Sequence, residues 1–290
     1  EKLGWKQSCC NYQHAKMTDL QHGFHAAQAM GMSVNTDAYI ADALADVVCH
    51  EVGHNLGLRH NFVASTTLSF AELGDPQKVR ENGVASSVMD YTPMNIQGIF
   101  KRNPDLFMND GVGPYDKFAI EYGYVPTGAK DPEAERFALS QIARKGGRNG
   151  LRYMTDEDAD AFDPFVVRFD ASKNPIEFFQ RDADLTKILT NWVVKNRPAN
   201  GESYNERNAS LLRSFQRSMT TAMNLSRFVG GVEGNRNFKG DENEKPTLRP
   251  VSPDQQRQAM KSALAIALAP TTYPVDASLF NNMGVYSPEV

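Results

Sequence analysis

Apolar positions follow a helical rhythm over most of the chain, with no sustained two-residue alternation that would mark strands. Between 11 and 30 that rhythm, carried by Ala, Leu, Met and Phe, is broken and stops at "GMSVN", where Gly31 and Asn35 punctuate. The next stretch, "DAYIADALADVVCHEVGHNL", has neither glycine nor proline before Gly53. Thr36 and Asp37 offer it an N-cap and Gly57 a left-handed end, which predicts a helix over about 36–57, roughly 30 Å long. From 58 to 112 the pieces are short, polar and broken by Gly and Pro, and predict loops, short helices and turns. "GPYDKFAIEYGY", 113–124, predicts a compact helix opened by Pro114 and closed by Gly123. A boundary is expected at "VPTGAKDPE", 125–133, followed by helices over 132–145, about 175–196, 205–229 and 254–268, the last capped by Ser252 and started by Pro253. Loop-like inserts at 146–174 and 230–251 separate them. The expected fold is mainly α, with α+β left open: a core over 1–128 and a helical C-terminal region over 129–290, with little sheet.

Composition narrows the function classes. At 290 residues and 41% hydrophobic the chain can bury a sizeable core. A net charge of −4 leaves no general basic surface to neutralise a phosphate backbone, so nucleic acid is not an expected partner. The longest apolar runs, such as "ALAIALA" at 263–269, fall far short of the roughly 20 residues that cross a bilayer, so no membrane span is expected. The first residue is Glu1, without a charged or apolar leader pattern, and an upstream region of a longer precursor is expected. Cys9, Cys10 and Cys49 cannot all pair with one another, which leaves the redox compartment open.

The chemistry concentrates in "HEVGHNLGLRH", 50–60, which holds three of the six histidines. Residues four apart share a helical face, so His50 and His54 form a two-pronged clamp. A tetrahedral zinc needs a third protein ligand and keeps an open position for catalysis. Gly57 lets the chain reverse, and His60 follows three residues later. Glu51, about 100° around the helix from His50, reaches the open side of such a metal and has the place of a general base. A bare HExxH also arises by chance on helices whose histidines merely face water. The third histidine, after a glycine at the right offset, separates the metal reading from that one.

The pattern H-E-x-x-H-x-x-G-x-x-H resembles the signature of metzincin metallopeptidases, and "SVMDY", 87–91, resembles their methionine turn. The resemblance implies a zinc-dependent endopeptidase with His50, His54 and His60 as ligands, Glu51 as base and Met89 as an apolar floor under the imidazoles. It implies that Tyr91, two residues after the methionine as in the astacin-like and serralysin-like branches, hydrogen-bonds the tetrahedral intermediate. "TPMNIQG", 92–98, would then shape a specificity pocket for a protein or peptide substrate. Asn61, after the third histidine, fits none of the branches that carry Glu, Ser, Pro or Asp there. The wording over 36–124 looks most like a group of large bacterial zinc-dependent metzincins of poorly described substrate range, which implies a secreted, periplasmic or cell-surface location. Metzincins place a sheet before the active-site helix, yet the residues preceding Thr36 look helical, so a substrate-aligning strand is expected upstream of Glu1 or not at all. The alternative is a catalytically impaired, metzincin-like binding or scaffold protein of a cell-surface assembly, against which the retained Glu51 argues.

Other clusters are weaker. His22 and His25 could share a helical face as a metal pair, but without acidic or thiol partners they read as solvent-facing. Cys49 reads as a small buried helix residue. "TDEDADAFD", 155–163, lacks the glycine turn and terminal Glu of a calcium loop and reads as a solvated acidic loop or helix start. Arg213, Arg217 and Arg227 read as the wet face of one helix.

Overall fold

The structure, a computed structural model, describes residues 12–109, 111–159, 161–268, 277–282 and 284; Cys9 and Cys10 lie outside them. Its helices follow the pattern of the sequence: α1 Tyr12–Ala29, α2 Thr36–Asn55, the short α3 Pro76–Asn82 and α4 Ile96–Lys101, α5 Pro114–Tyr124, α6 Pro132–Ala143, α7 Asp156–Ala159, α8 Pro175–Asn196, α9 Tyr204–Ser226 and α10 Pro253–Leu268. Two three-residue strands, β1 Val232–Gly234 and β2 Leu248–Pro250, pair antiparallel with Val232 opposite Pro250 and Gly234 opposite Leu248. No other sheet forms among the described residues, and the fold is mainly α as expected.

Element ends follow local chemistry. Asn35, not Thr36 or Asp37, caps α2: its side-chain oxygen accepts from Ala38 N at 3.1 Å. Gly57 takes the left-handed conformation, φ 84°, that turns the chain back after the helix. Proline fills the first turn of α3, α5, α6 and α8, where its missing N–H costs nothing. α5 continues through Gly123 and ends one residue later than the glycine suggested.

The main core joins α1, α4, α8, α9 and α10 through side chains such as Leu20, Ile99, Phe178, Leu185, Leu225 and Ala259. Polar residues lock this core. Arg217 of α9 turns inward rather than to water, bonding Asp182 of α8 at 2.7 Å and Asp19 of α1 at 2.8 Å; two buried carboxylates supply the charge that makes its burial tolerable. Arg227 likewise reaches inward, donating to the carbonyls of Ala159 at 2.7 Å and Asp163 at 2.9 Å. The wet-face reading therefore fails for both. His22 is also buried, 3.3 Å from the Thr186 hydroxyl of α8, and burial lowers its pKa well below the ordinary value. Helix periodicity alone could not reveal that α8 covers that face.

A smaller cluster, Tyr12, Phe62, Val63, Tyr91, Met154, Ala159 and Val166, packs against Val47 and Phe169. It draws on residues from 12 to 169 and forms the wall described below. On its outer side α2 carries Ile40, Leu44, Val48 and Val52, continued by Leu56 just past its end, four apart and 42–59% exposed, as an apolar ridge. Among the described residues no helix is long and apolar enough to cross a membrane.

Candidate metal centre

His50 and His54 leave α2 on one face, and the turn at Gly57 brings His60 back to them. One ligand nitrogen from each of the three lies within 4.8 Å of the others. Ring centroids are 4.8 Å apart for His50 and His54, 4.8 Å for His54 and His60, and 5.3 Å for His50 and His60. Each Nδ1 meets an oxygen that can only accept: the Val88 carbonyl at 2.7 Å from His50, the Leu58 carbonyl at 3.0 Å from His54, and the Asp156 carboxylate at 2.9 Å from His60. Each Nδ1 therefore carries a hydrogen, which leaves Nε2 as the nitrogen that bears the lone pair in the neutral ring. The Nε2 of His54 is buried without a hydrogen-bond partner, an atom that costs free energy unless something binds it. Nitrogen donors in a cluster of this size suit a zinc-type ion, which takes imidazoles at about 2.0–2.1 Å.

Electrostatics favour the ligating form. Burial lowers the pKa of His50 to about 4, against the raising effect of its bond to Val88. Burial also lowers His60, though the Asp156 carboxylate opposes it. Both rings are thus neutral at pH 7, the state that binds metal.

Met89 is fully buried and lies against α2, where a Cβ on Gly53 would collide with its sulfur. The turn carrying it is pinned from outside: Asp116 of α5 accepts from Ser87 Oγ at 2.6 Å, Val88 N at 2.9 Å and Gly113 N at 2.8 Å. Tyr91 is buried, its ring 4.9 Å from that of His60 and 5.5 Å from that of His50. Glu51 is exposed on α2 beside the buried His50. Asn61, the residue that fitted no branch, is fully buried and works as a splice. Its N–H donates to the Met89 carbonyl at 2.9 Å, its Nδ2 to the Arg152 carbonyl at 2.9 Å, and its Oδ1 accepts from Met154 N at 3.0 Å.

Sequence reasoning missed two contributors. Tyr12 of α1 stacks on Tyr91 at 4.7 Å and lies 4.6 Å from the His50 ring. Its hydroxyl donates to Asp46 of α2 at 2.5 Å, and Lys16 pairs with the same carboxylate at 2.8 Å. A tyrosine at the edge of a broken helical pattern gave no signal of this. Asp156 sits in the acidic stretch, which does start a short helix but also reaches His60. Conversely "TPMNIQG" is buried throughout rather than lining a pocket: α1 covers it, with Lys16 donating to the Thr92 carbonyl at 2.8 Å and Asp19 accepting from Met94 N at 2.6 Å. A cavity of about 570 Å³ opens elsewhere, beside Leu58 and Arg59 of the third-ligand loop, lined by Tyr115, Phe118, Tyr122 and Tyr153.

Directly after Met89, Asp90 is fully buried, takes Ser65 N at 2.8 Å and shares its surroundings with buried Asp170. Burial raises Asp170 to about 8, and burial together with the Asp170 charge raises Asp90 well above the carboxylate range. A native pKa above the unfolded value of 3.8 means that the folded chain holds an extra proton between about 4 and 8. That contribution is complete below about pH 4 and is lost progressively as pH rises to about 8, where the native carboxyl ionises as well. Asp170→Asn cannot titrate, so in urea melts its stability relative to wild type is expected to improve from pH 5 to about pH 8 and to level off above it.

The sequence model of the Met-zincin family matches residues 32–288. Compared with the curated proteins and with the solved structures, the chain matches none.

Proposed function

Since the chain belongs to the Met-zincin family, we propose that it is a zinc-dependent endopeptidase. The observation that carries this reading is the buried, unpartnered Nε2 of His54 among three imidazoles whose Nδ1 atoms are all held by acceptors. His50, His54 and His60 would hold the ion. When bound, zinc supplies a Lewis acid that polarises a scissile carbonyl and makes water acidic near neutral pH. Glu51, unburied next to His50, takes the proton from the attacking water and returns it to the leaving amine. Tyr91, held against His60 by Tyr12 and Phe62, steadies the oxyanion. Met89 and Gly53 fix the floor beneath the rings. The aromatic cavity beside Leu58 suits a large apolar substrate side chain, since it offers broad ring surfaces, and Arg59, Arg152, Arg236 and Lys245 among its lining add positive charge beside them.

The test combines metal analysis with cleavage of a peptide library. One equivalent of zinc per chain is expected, with hydrolysis abolished by a strong chelator and restored by zinc. Chelator-insensitive hydrolysis, or a chain that takes up no zinc when replete, overturns the reading. Zinc uptake without hydrolysis of any peptide assigns the chain to the binding or scaffold class instead.

A further inference from the structure

The third ligand is held differently from the other two. His50 and His54 bond backbone carbonyls supplied from nearby in the same metal-binding core, at Val88 and Leu58. His60 instead bonds a carboxylate delivered from ninety-six residues away, with Nδ1 2.9 Å from Asp156 Oδ1 and 3.0 Å from Oδ2. Both oxygens face the ring, so the contact holds when either oxygen shifts. A carboxylate that accepts the ring N–H also polarises the imidazole more strongly than a neutral carbonyl does, making it a better donor at its other nitrogen.

Side chains from several parts of the chain hold the segment bearing Asp156. Asp158 accepts from Thr155 N at 2.9 Å, closing the turn, and is itself gripped by Arg236 at 2.7 and 2.8 Å. Arg227, at the end of α9, donates to the carbonyls of Ala159 and Asp163, where the segment leaves the site. Arg59, the neighbour of His60, takes Glu157 at 2.8 and 2.9 Å. Arg168 lies over the Phe62 ring at 4.6 Å and 3.8 Å from Asp156, on the carboxylate's other flank. Arg59 and Arg168, at 3.9 and 3.8 Å, flank the acid and help to keep it placed.

We propose that Asp156 is the positioning residue of the third metal ligand, and that the helical region after residue 128 serves the site by carrying it. Asp156 orients the His60 ring and fixes its tautomer, so that the third donor is ready before metal arrives. This rests on the metal reading above and deepens it: the metal centre is assembled from both parts of the chain, and its affinity is set from the part that contains no ligand.

The experiment measures zinc affinity by competition with a chromogenic chelator, on the full chain, for wild type, Asp156→Ala, Asp156→Asn and Glu157→Gln. Loss of an orienting partner weakens metal binding by about 10- to 100-fold. Asp156→Ala is expected to show that loss. Asp156→Asn, whose amide oxygen still accepts the ring N–H, should fall between Ala and wild type, and Glu157→Gln should match wild type. The cobalt-loaded Asp156→Ala protein should also show an altered visible absorption band, a signature that a purely structural role elsewhere would not move. Wild-type zinc affinity in both Asp156 variants overturns the assignment while leaving the proposed function standing, whereas a wild-type chain that binds no zinc removes both. Equal weakening in Glu157→Gln also overturns it, because the effect would then belong to the loop and not to the carboxylate on His60. Should the Ala variant melt early without metal, the shape-preserving Asn variant still decides.

Discussion

Replacing Glu51 by Gln is expected to slow peptide hydrolysis by about 10² to 10⁴-fold, the usual worth of a general base, and to leave the zinc content unchanged. Glutamine matches glutamate in size but cannot accept a proton from water. The three imidazoles keep their partners at Val88, Leu58 and Asp156, none of which Glu51 provides. The check is kcat/KM on a cleaved peptide beside metal stoichiometry of the same preparation. A normal rate in the metal-loaded variant would move the base to another residue, and loss of metal would make Glu51 a ligand.

The largest stability effect is expected at Asp46. Its carboxylate is 2% exposed and pairs with Lys16, 1% exposed, while also accepting the Tyr12 hydroxyl. Asp46→Ala strands an ammonium ion and a phenol away from water. Removing one partner of such a pair costs about 3–5 kcal/mol, measurable as a shift of the urea midpoint at pH 7. The double change Lys16→Met with Asp46→Leu is expected to recover most of that loss, because hydrocarbon of similar volume has no charge to leave unpaired. The single variant should also perturb the metal centre, since Tyr12 links Asp46 to the His50 and Tyr91 rings.

Legibility followed sequence distance. Helix positions and the pairing of His50 with His54 rest on periodicity within a few turns, and they are readable. His60 and Met89 are readable because a glycine turn and a short motif put them at fixed offsets. Asp156 is not, since its partner lies in another part of the chain and its acidic neighbours make it look like an ordinary helix start. Arg217 and Arg227 show the same limit from the opposite side. An arginine on a helix face reads as wetted until the elements that cover it are known, here α1 and α8 for one and the Ala159 and Asp163 carbonyls for the other. "TPMNIQG" was misplaced because family likeness supplied a position without supplying the helix that lies over it. Asn61, which broke the family pattern, finds its reason only in three dimensions. Its side chain bonds both the Arg152 carbonyl and the Met154 amide, a job for which Glu has no donor and Pro neither group.

The five side chains from Ile40 to Leu56 run along one edge of α2, about 24 Å of hydrocarbon at 1.5 Å per residue. Water gains by being rid of such a strip, so sticking of one molecule to another should grow with concentration and with salting-out ions such as sulfate. The same stiff rod bears two imidazoles on its far side, and whatever presses on its oily edge leans on them as well.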